Sequence, residues 1–280
     1  MRISRRRRPG LKQRRFRQRL IAYREAKGRP ALRRIPRAAV PSFFTLMNLF
    51  CGFLAIIQVH EGVLVNAAWL ILLASFFDML DGMMARLTNS TSLFGVELDS
   101  LCDVVSFGVA PSFMIWAFGL RDFGTAGVIV ASLPALAGAI RLARFNVNFE
   151  GTKSEYFSGL PIPMSAMVIV ALILNEDLVR TWMDGKGVVN AVMGAVIFLS
   201  GLMVTNIPFD SVPQPSARYI RTHPQKVIAA LLAVAILFWL HEFGLLLVLG
   251  GYLLIGICRA VIRLVRAIQE TPDPGAPRSA

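Results

Sequence analysis

The sequence predicts an all-α, polytopic membrane protein with about eight transmembrane helices. Of its 280 residues, 55% are hydrophobic and 17% are charged, and the mean hydropathy is +0.58. This balance lies outside the usual range of soluble globular domains. The apolar residues also gather into stretches near the length that a helix needs to cross a bilayer, about 20 residues. The predicted spans are residues 40–59, 63–86, 95–119, 123–145, 160–175, 188–205, 226–240 and 243–264.

The basic residues predict how these helices are oriented. More than half of the 30 Lys and Arg residues lie within residues 1–38, and Arg259, Arg263 and Arg266 stand at the end of the last span. The links after the first, third, fifth and seventh spans are short and poor in basic residues. By the positive-inside rule, both termini and the even-numbered links face the cytoplasm. The expected location is the inner, cytoplasmic membrane of a bacterium.

The chain divides into three predicted regions. Residues 1–38 form a basic cytoplasmic or interfacial segment, residues 39–266 form the transmembrane domain, and residues 267–280 form a flexible tail. In the first region, apolar residues are scattered among arginines, as in a helix that lies at the membrane surface. This segment either attracts anionic membrane lipids or only holds the N-terminus inside.

Four aspartates occupy apolar segments in which a charge is costly. Each charge at the bilayer centre costs about 2.5–3.5 kcal/mol on insertion scales, so a partner must neutralise them. Asp78 and Asp81 are three residues apart, and Asp99 and Asp103 are four apart, so each pair shares one helix face. A short turn would bring the two faces together. Four such carboxylates would balance two divalent cations, Mg²⁺ or Mn²⁺, an arrangement that suits in-line displacement at phosphorus.

The aspartates belong to a longer motif. Residues 78–103 match, without a gap, the pattern D-x2-D-G-x2-A-R-x8-G-x3-D-x3-D, and by this motif the chain resembles the CDP-alcohol phosphotransferases. The resemblance implies a six-helix catalytic core, usually homodimeric, that attacks the β-phosphorus of a CDP-activated lipid and releases CMP.

The same resemblance implies a role for each fixed residue of the motif. Asp103 would bind metal and also act as the general base on the attacking hydroxyl. The other implied metal ligands are Asp78, Asp81 and Asp99. The nucleotide and its diphosphate would contact the remaining fixed residues, which are Gly82, Arg86 and Gly95.

Two further segments bear on the acceptor alcohol. The run Arg141-Leu-Ala-Arg144-Phe-Asn146 ends the fourth span, and Tyr156-Phe-Ser-Gly-Leu-Pro-Ile-Pro163 follows it. Two arginines beside an anionic site favour capture of a carboxylate or phosphate, although they could also be a positive-inside signal. Both segments resemble the R-x-A-R-F-N and F-x-G-L-P-x-P signatures of the integral-membrane phosphatidylserine synthases, a branch of the same family.

This second resemblance implies transfer of a phosphatidyl group from CDP-diacylglycerol to L-serine. Arg144 and Asn146 are then the first candidates for holding serine, followed by Arg141. Thr45 and Asn48 could serve the nucleotide or could only bond across helices. The P-loop pattern is absent, so no ATP-driven step is expected, and neither is a nucleic-acid partner.

Two other functions stay open. A sister enzyme would use another acceptor, such as glycerol 3-phosphate, inositol phosphate or choline, and choline would call for an aromatic cage rather than arginines. A divalent cation transporter would also carry buried carboxylates, but it is expected to place them at mid-membrane depth in broken helices.

Overall fold

The computed structural model describes residues 39–88, 92–147, 156–181, 183–205, 207–210 and 243–259, with the single positions 232, 236, 239, 240 and 262. Within these ranges the chain is helical apart from short links and two three-residue strands, so the all-α prediction is confirmed. The basic segment 1–38 and the tail 267–280 lie outside the described residues, as does most of the predicted span 226–240.

The helices of the described residues are α1 (Ala39–His60), α2 (Leu64–Leu87), α3 (Leu93–Asp103), α4 (Ala110–Phe118), α5 (Gly124–Val147), α6 (Ile162–Leu174), α7 (Glu176–Arg180), α8 (Gly185–Val204) and α9 (Phe243–Arg259). A π-helical segment, Val104–Val109, continues α3 into α4, and a 3-10 turn, Leu120–Phe123, leads into α5. Strands β1 (Tyr156–Ser158) and β2 (Pro208–Asp210) pair antiparallel.

Length and composition identify the spans that can cross a membrane. Five helical stretches of the described residues qualify, namely Val40–His60, Leu64–Leu87, Phe94–Phe118, Leu120–Val147 and Gly185–Val204. The helices α6 and α9 are apolar but shorter. Seven of the eight predicted spans therefore coincide with an apolar helix, and the chain is a polytopic membrane protein.

Small side chains line the contact between α1 and α2. Ala55 of α1 and Ala67, Ala68 and Ala74 of α2 are fully buried, which lets the two backbones come close. Large apolar side chains on the same helices point outward, and Phe53 is 55% exposed. In a bilayer this outer surface meets lipid, while the core combines close helix contacts with large buried side chains such as Ile71 and Phe107.

The π-helical segment packs tightly against α1. A Cβ atom at Gly52 would lie 2.3 Å from Oγ of Ser106, so this contact needs glycine. The Ser106 hydroxyl donates a hydrogen bond of 3.0 Å to the carbonyl of Asn48. A π-helical turn holds an extra residue, and such turns are frequent at functional sites. Here the turn begins directly after Asp103 and fixes that end of α3 against α1.

The link between α5 and α6 is fastened to the end of α8. The N–H of Gly159 donates to the carbonyl of Ile207 at 2.9 Å, and the N–H of Leu160 donates to the carbonyl of Leu202 at 3.1 Å. Gly159 has a φ of +80°, and a Cβ atom there would lie 2.5 Å from the carbonyl of Met203, so only glycine fits. The ends of α5 and α8 therefore share one side of the helix bundle.

Candidate active site

Carboxylates of α2 and α3 meet at one place, as their spacing predicts. Asp78 on α2 and Asp99 and Asp103 on α3 each present a carboxylate oxygen, and these oxygens lie within 4.8 Å of one another. Asp103 is only 7% exposed. Negative charges this close and this buried repel one another strongly, so the cluster fits a bound cation.

Asp81 lies one turn along α2 from Asp78 and is 6% exposed. Its Oδ2 atom, like Oδ1 of Asp99, is buried without a hydrogen-bond partner. A buried carboxylate oxygen in this state is costly unless a cation satisfies it. Because the donors are all hard carboxylate oxygens, they suit Mg²⁺ or Mn²⁺ rather than a metal that prefers sulfur or nitrogen.

A cleft of about 240 Å³ opens beside the carboxylates, between the start of α1, the end of α2 and the start of α3. Ser92 caps α3 at its edge, where its Oγ accepts a hydrogen bond of 3.0 Å from the N–H of Gly95. The cleft is lined by most of the residues that the sequence predicted for the metal and nucleotide, namely Thr45, Asp81, Gly82, Arg86, Gly95 and Asp99.

Gly82 has no structural reason to be glycine within the described protein. It lies inside the helix α2, and an added Cβ atom would meet only Nη1 of Arg86, at 3.8 Å. That distance is an ordinary van der Waals contact. Gly82 lines the cleft, so any side chain at this position would take up space in the cleft. A ligand bound closely against the helix would leave no room for such a side chain.

Asn48 lies at the carboxylate cluster rather than in the cleft. It is fully buried, and its Nδ2 donates a hydrogen bond of 3.1 Å to Oδ1 of Asp103. Its carbonyl accepts the hydrogen bond from Ser106 described above. Asn48 therefore orients Asp103 across the α1–α3 contact, which was one of the two roles that the sequence left open.

The structure separates the two arginines of α5. Arg141 is 8% exposed, and its guanidinium lies within electrostatic range of the Asp103 carboxylate and close to Tyr252 of α9. Arg144 is exposed, and its Nη1 donates a hydrogen bond of 3.0 Å to the carbonyl of Val204, near the end of α8. Arg141 is therefore the arginine in electrostatic range of the carboxylates. The ranking of Arg144 before Arg141 as the serine ligand stays a prediction.

Asn146 contacts α3. Its Nδ2 donates to Oε2 of Glu97 at 3.2 Å and to Oγ of Ser100 at 3.1 Å. Sequence reasoning missed Glu97, Ser100 and Tyr252. Glu97 and Ser100 precede Asp103 at three-residue intervals, and this spacing could have identified them. Nothing in the sequence links Tyr252 to Arg141.

The geometry agrees with comparisons to known proteins. The family model described as CDP-alcohol phosphatidyltransferase matches residues 38–206, which include the cleft and all four aspartates. The chain belongs to this family.

Three relatives match between 49% and 83% of the chain. The CDP-diacylglycerol–serine O-phosphatidyltransferase of Helicobacter pylori strain J99 is 34% identical over 233 residues, which cover 83% of this chain and 95% of that protein. The Bacillus subtilis protein of the same name is 38% identical over 183 residues, or 65% of this chain and 96% of that protein. An archaetidylserine synthase of Methanothermobacter thermautotrophicus is 42% identical over 139 residues, or 49% of this chain and 58% of that protein.

Proposed function

We propose that the protein transfers a phosphatidyl group from CDP-diacylglycerol to L-serine, giving phosphatidylserine and CMP. The observation that carries this proposal is Arg141, a buried cation within electrostatic range of Asp103 that does not line the cleft. A cation there suits the carboxylate of an amino-acid acceptor. The names of the relatives support the same acceptor.

The metal and nucleotide would share the cleft side of the cluster. Asp78, Asp81, Asp99 and Asp103 would hold two divalent cations, Mg²⁺ or Mn²⁺, which when bound offset the diphosphate charge and make CMP a better leaving group. The cytidine and diphosphate would lie in the cleft, against Gly82 and Gly95 and beside Arg86, whose planar guanidinium suits paired phosphate oxygens. Thr45 would support the same ligand from α1, since it lines the cleft beside Asp81.

Asp103 would act as the general base. The serine hydroxyl oxygen forms a bond to the phosphorus that carries the diacylglycerol, the bond from that phosphorus to CMP breaks, and the hydroxyl proton moves to Asp103. Asn48 orients the carboxylate by its hydrogen bond to Oδ1. Arg141 would hold the serine carboxylate, with Arg144 and Asn146 as the outer candidates.

The proposal includes the cellular setting. The cleft opens at the ends of α2 and α3 that the positive-inside rule assigns to the cytoplasm, so lipid would enter from the side and serine from the cytosol. The protein would work in a bacterial inner membrane, as a homodimer like other members of its family.

The function is tested with the purified full-length protein in detergent. CMP release is measured with CDP-diacylglycerol, Mn²⁺ or Mg²⁺, and a panel of L-serine, glycerol 3-phosphate, inositol, inositol phosphate and choline. Serine is expected to be the preferred acceptor, and activity is expected to disappear on chelation and return with the added metal. Preference for glycerol 3-phosphate would show that the arginines bind the phosphate of the acceptor. Full activity in metal-free buffer would overturn the two-metal proposal.

A further inference from the structure

A continuous polar seam runs between α3 and α5. On α3 it consists of Glu97, Ser100 and Asp103, which follow one another at three-residue intervals and so form a ridge on the helix. On α5 it consists of Asn146, which binds Glu97 and Ser100, and Arg141, which interacts with Asp103. The seam leads from an exposed end at Glu97 to the buried carboxylate cluster.

The seam and the cleft occupy different faces of α3. Gly95, Val96 and Asp99 line the cleft, whereas Glu97 and Ser100 contact α5. At about 100° per residue, Asp103 falls between Asp99 and Val96 around the helix, on the side of the cleft face that adjoins Ser100. In-line displacement needs the attacking alcohol and the leaving group on opposite sides of the phosphorus. With CMP in the cleft, the acceptor would therefore approach through the seam.

The length of the seam matches a small amino alcohol. Glu97 and Asp103 are six residues apart, which is a rise of about 9 Å along α3 and a turn of about 120° around its axis, so both side chains must lean towards α5 for one acceptor to reach them. An acceptor whose hydroxyl and ammonium are about 3 Å apart, joined to the two carboxylates by hydrogen bonds of about 2.8 Å, spans about 8.6 Å. Ser100 lies between the two ends and presents only a hydroxyl, which already donates to the carbonyl of Val96 at 3.0 Å.

Glu97 carries a negative charge at the mouth of this seam. Within the part of the chain that the structure describes, no Lys or Arg forms an ion pair with Glu97, which accepts a hydrogen bond from the neutral amide of Asn146. That amide fixes the carboxylate without cancelling its charge. A carboxylate held in this way, on the side of α3 that contacts α5, is suited to a cation on the substrate itself.

We infer that Glu97 is a specificity-determining residue that binds the ammonium group of the acceptor, while Arg141 binds its carboxylate. The inference rests on the function proposed above and adds to it the reason for choosing a zwitterion. An acceptor without an ammonium, such as glycerol 3-phosphate, would leave Glu97 unpaired and would bring a second anion towards it. Asn146 is then a positioning residue that acts through Glu97 rather than a direct ligand of serine.

The test pairs a change in the enzyme with a change in the acceptor. Glu97→Gln removes the charge but keeps an oxygen that can accept the bond from Asn146, and 3-hydroxypropionate is serine without the ammonium. Values of kcat/KM are measured by CMP release at saturating CDP-diacylglycerol, or competitive inhibition constants are measured where 3-hydroxypropionate reacts too slowly. Glu61→Gln is the matched control, because Glu61 is also exposed and also accepts a side-chain amide bond, from Gln58 at 2.8 Å.

Glu97→Gln is expected to lower kcat/KM for serine by about tenfold to a hundredfold, the usual consequence of losing one charged hydrogen bond. The value for 3-hydroxypropionate should stay unchanged, so that discrimination between the two acceptors collapses. The KM for CDP-diacylglycerol should be unaffected, which shows that the variant is folded. Glu61→Gln should change none of these values.

Equal losses for both acceptors would show that Glu97 only joins α3 to α5, and unchanged serine kinetics would show that it does nothing at this step; either result overturns the inference. The wild-type enzyme is a separate control on the function itself. If it uses another alcohol in preference to serine, the proposed function fails. If it prefers serine while Glu97→Gln keeps full discrimination, only the role of Glu97 fails.

Discussion

The two sides of α3 are built in different ways. On the cleft side, three consecutive helices and the N-cap residue Ser92 supply the lining, from Pro41 to Asp99, so that neighbours in sequence become neighbours in space. On the seam side, α3 meets residues of α5, and α5 is in turn held by α8 and α9, which lie up to about a hundred residues further along the chain. The residues for phosphoryl chemistry are thus local, whereas those for the acceptor depend on long-range packing.

This difference has a consequence for how the family can vary. The cleft and carboxylate cluster can stay fixed while changes in α5, α8 or α9 alter the seam. Since the activated lipid needs the same metal and nucleotide contacts whatever the acceptor, such a division lets one catalytic site serve different alcohols. Substitutions that act only on the cleft side or only on the seam side of α3 test this division.

The largest effect is expected at Asp103, where the two sides meet. Asp103→Asn keeps an oxygen that can accept the bond from Asn48 but cannot take the serine proton. Loss of a general base typically lowers kcat by about 10²–10⁴-fold, while CDP-diacylglycerol should still bind in the cleft. CMP release and binding of the lipid substrate measure the two effects separately.

Asp122→Asn serves as the control for this variant, since Asp122 is an exposed aspartate in the 3-10 turn at the other end of α4. It should leave kcat unchanged. If Asp103→Asn keeps most of the wild-type kcat, Asp103 is not the general base. The two sides of α3 then do not converge at this residue.

The next effect concerns the two arginines of α5. Arg141→Ala should raise the KM for serine by about tenfold to a hundredfold, because a charged hydrogen bond to a carboxylate contributes about 1.5–3 kcal/mol. Arg144→Ala should change it less, since that side chain binds the carbonyl of Val204 and acts on the seam only by holding α5 to α8. Steady-state kinetics with serine varied at saturating CDP-diacylglycerol decide between them.

A larger effect at Arg144 than at Arg141 would restore the ranking made from sequence and would place the acceptor nearer the end of α8. If both variants raise only the KM for CDP-diacylglycerol, serine does not bind in the seam at all.

The aspartates and the membrane spans, unlike the two arginines, show what could be predicted from the sequence. The pairing of the aspartates could be predicted because three- and four-residue intervals fix one helix face, and a short turn fixes how two such faces meet. The spans could be predicted because lipid demands long apolar helices. Both inferences need only local geometry.

The acceptor side could not be predicted in the same way. The order of Arg141 and Arg144 depends on which face of α5 turns towards α3 and which turns towards α8. That rotation follows from packing between distant segments, such as the close approach of Gly138 to Ile162, where a Cβ atom would lie 2.3 Å from Cδ1. The π-helical turn after Asp103 adds a residue to the helical repeat, and it has no sequence signature that marks it out.

A smaller effect is expected on the cleft side, at Gly82. Gly82→Ala should raise the KM for CDP-diacylglycerol by about tenfold, the order expected when one methyl group displaces a well-fitted ligand by overpacking, while the KM for serine stays constant. The matched control is Gly194→Ala, because Gly194 also lies inside a helix, is exposed, and an added Cβ atom there meets nothing within 4 Å. An effect of Gly82→Ala on serine alone would contradict the assignment of the cleft to the nucleotide.

The smallest effect is expected from deletion of residues 1–30. This segment lies outside the described residues, and the family model begins to match only at residue 38, so neither side of α3 is expected to need it for chemistry. In detergent, CMP release per folded enzyme should be unchanged. Its Lys and Arg residues should matter only at a membrane, where each basic residue near an anionic surface contributes about 1 kcal/mol. Membrane insertion, or the rate in anionic relative to neutral vesicles, should therefore fall in the truncated protein while the detergent rate does not. If the truncated enzyme inserts and folds but loses turnover in detergent, the segment belongs to the catalytic machinery, and the division of function between the two sides of α3 is incomplete.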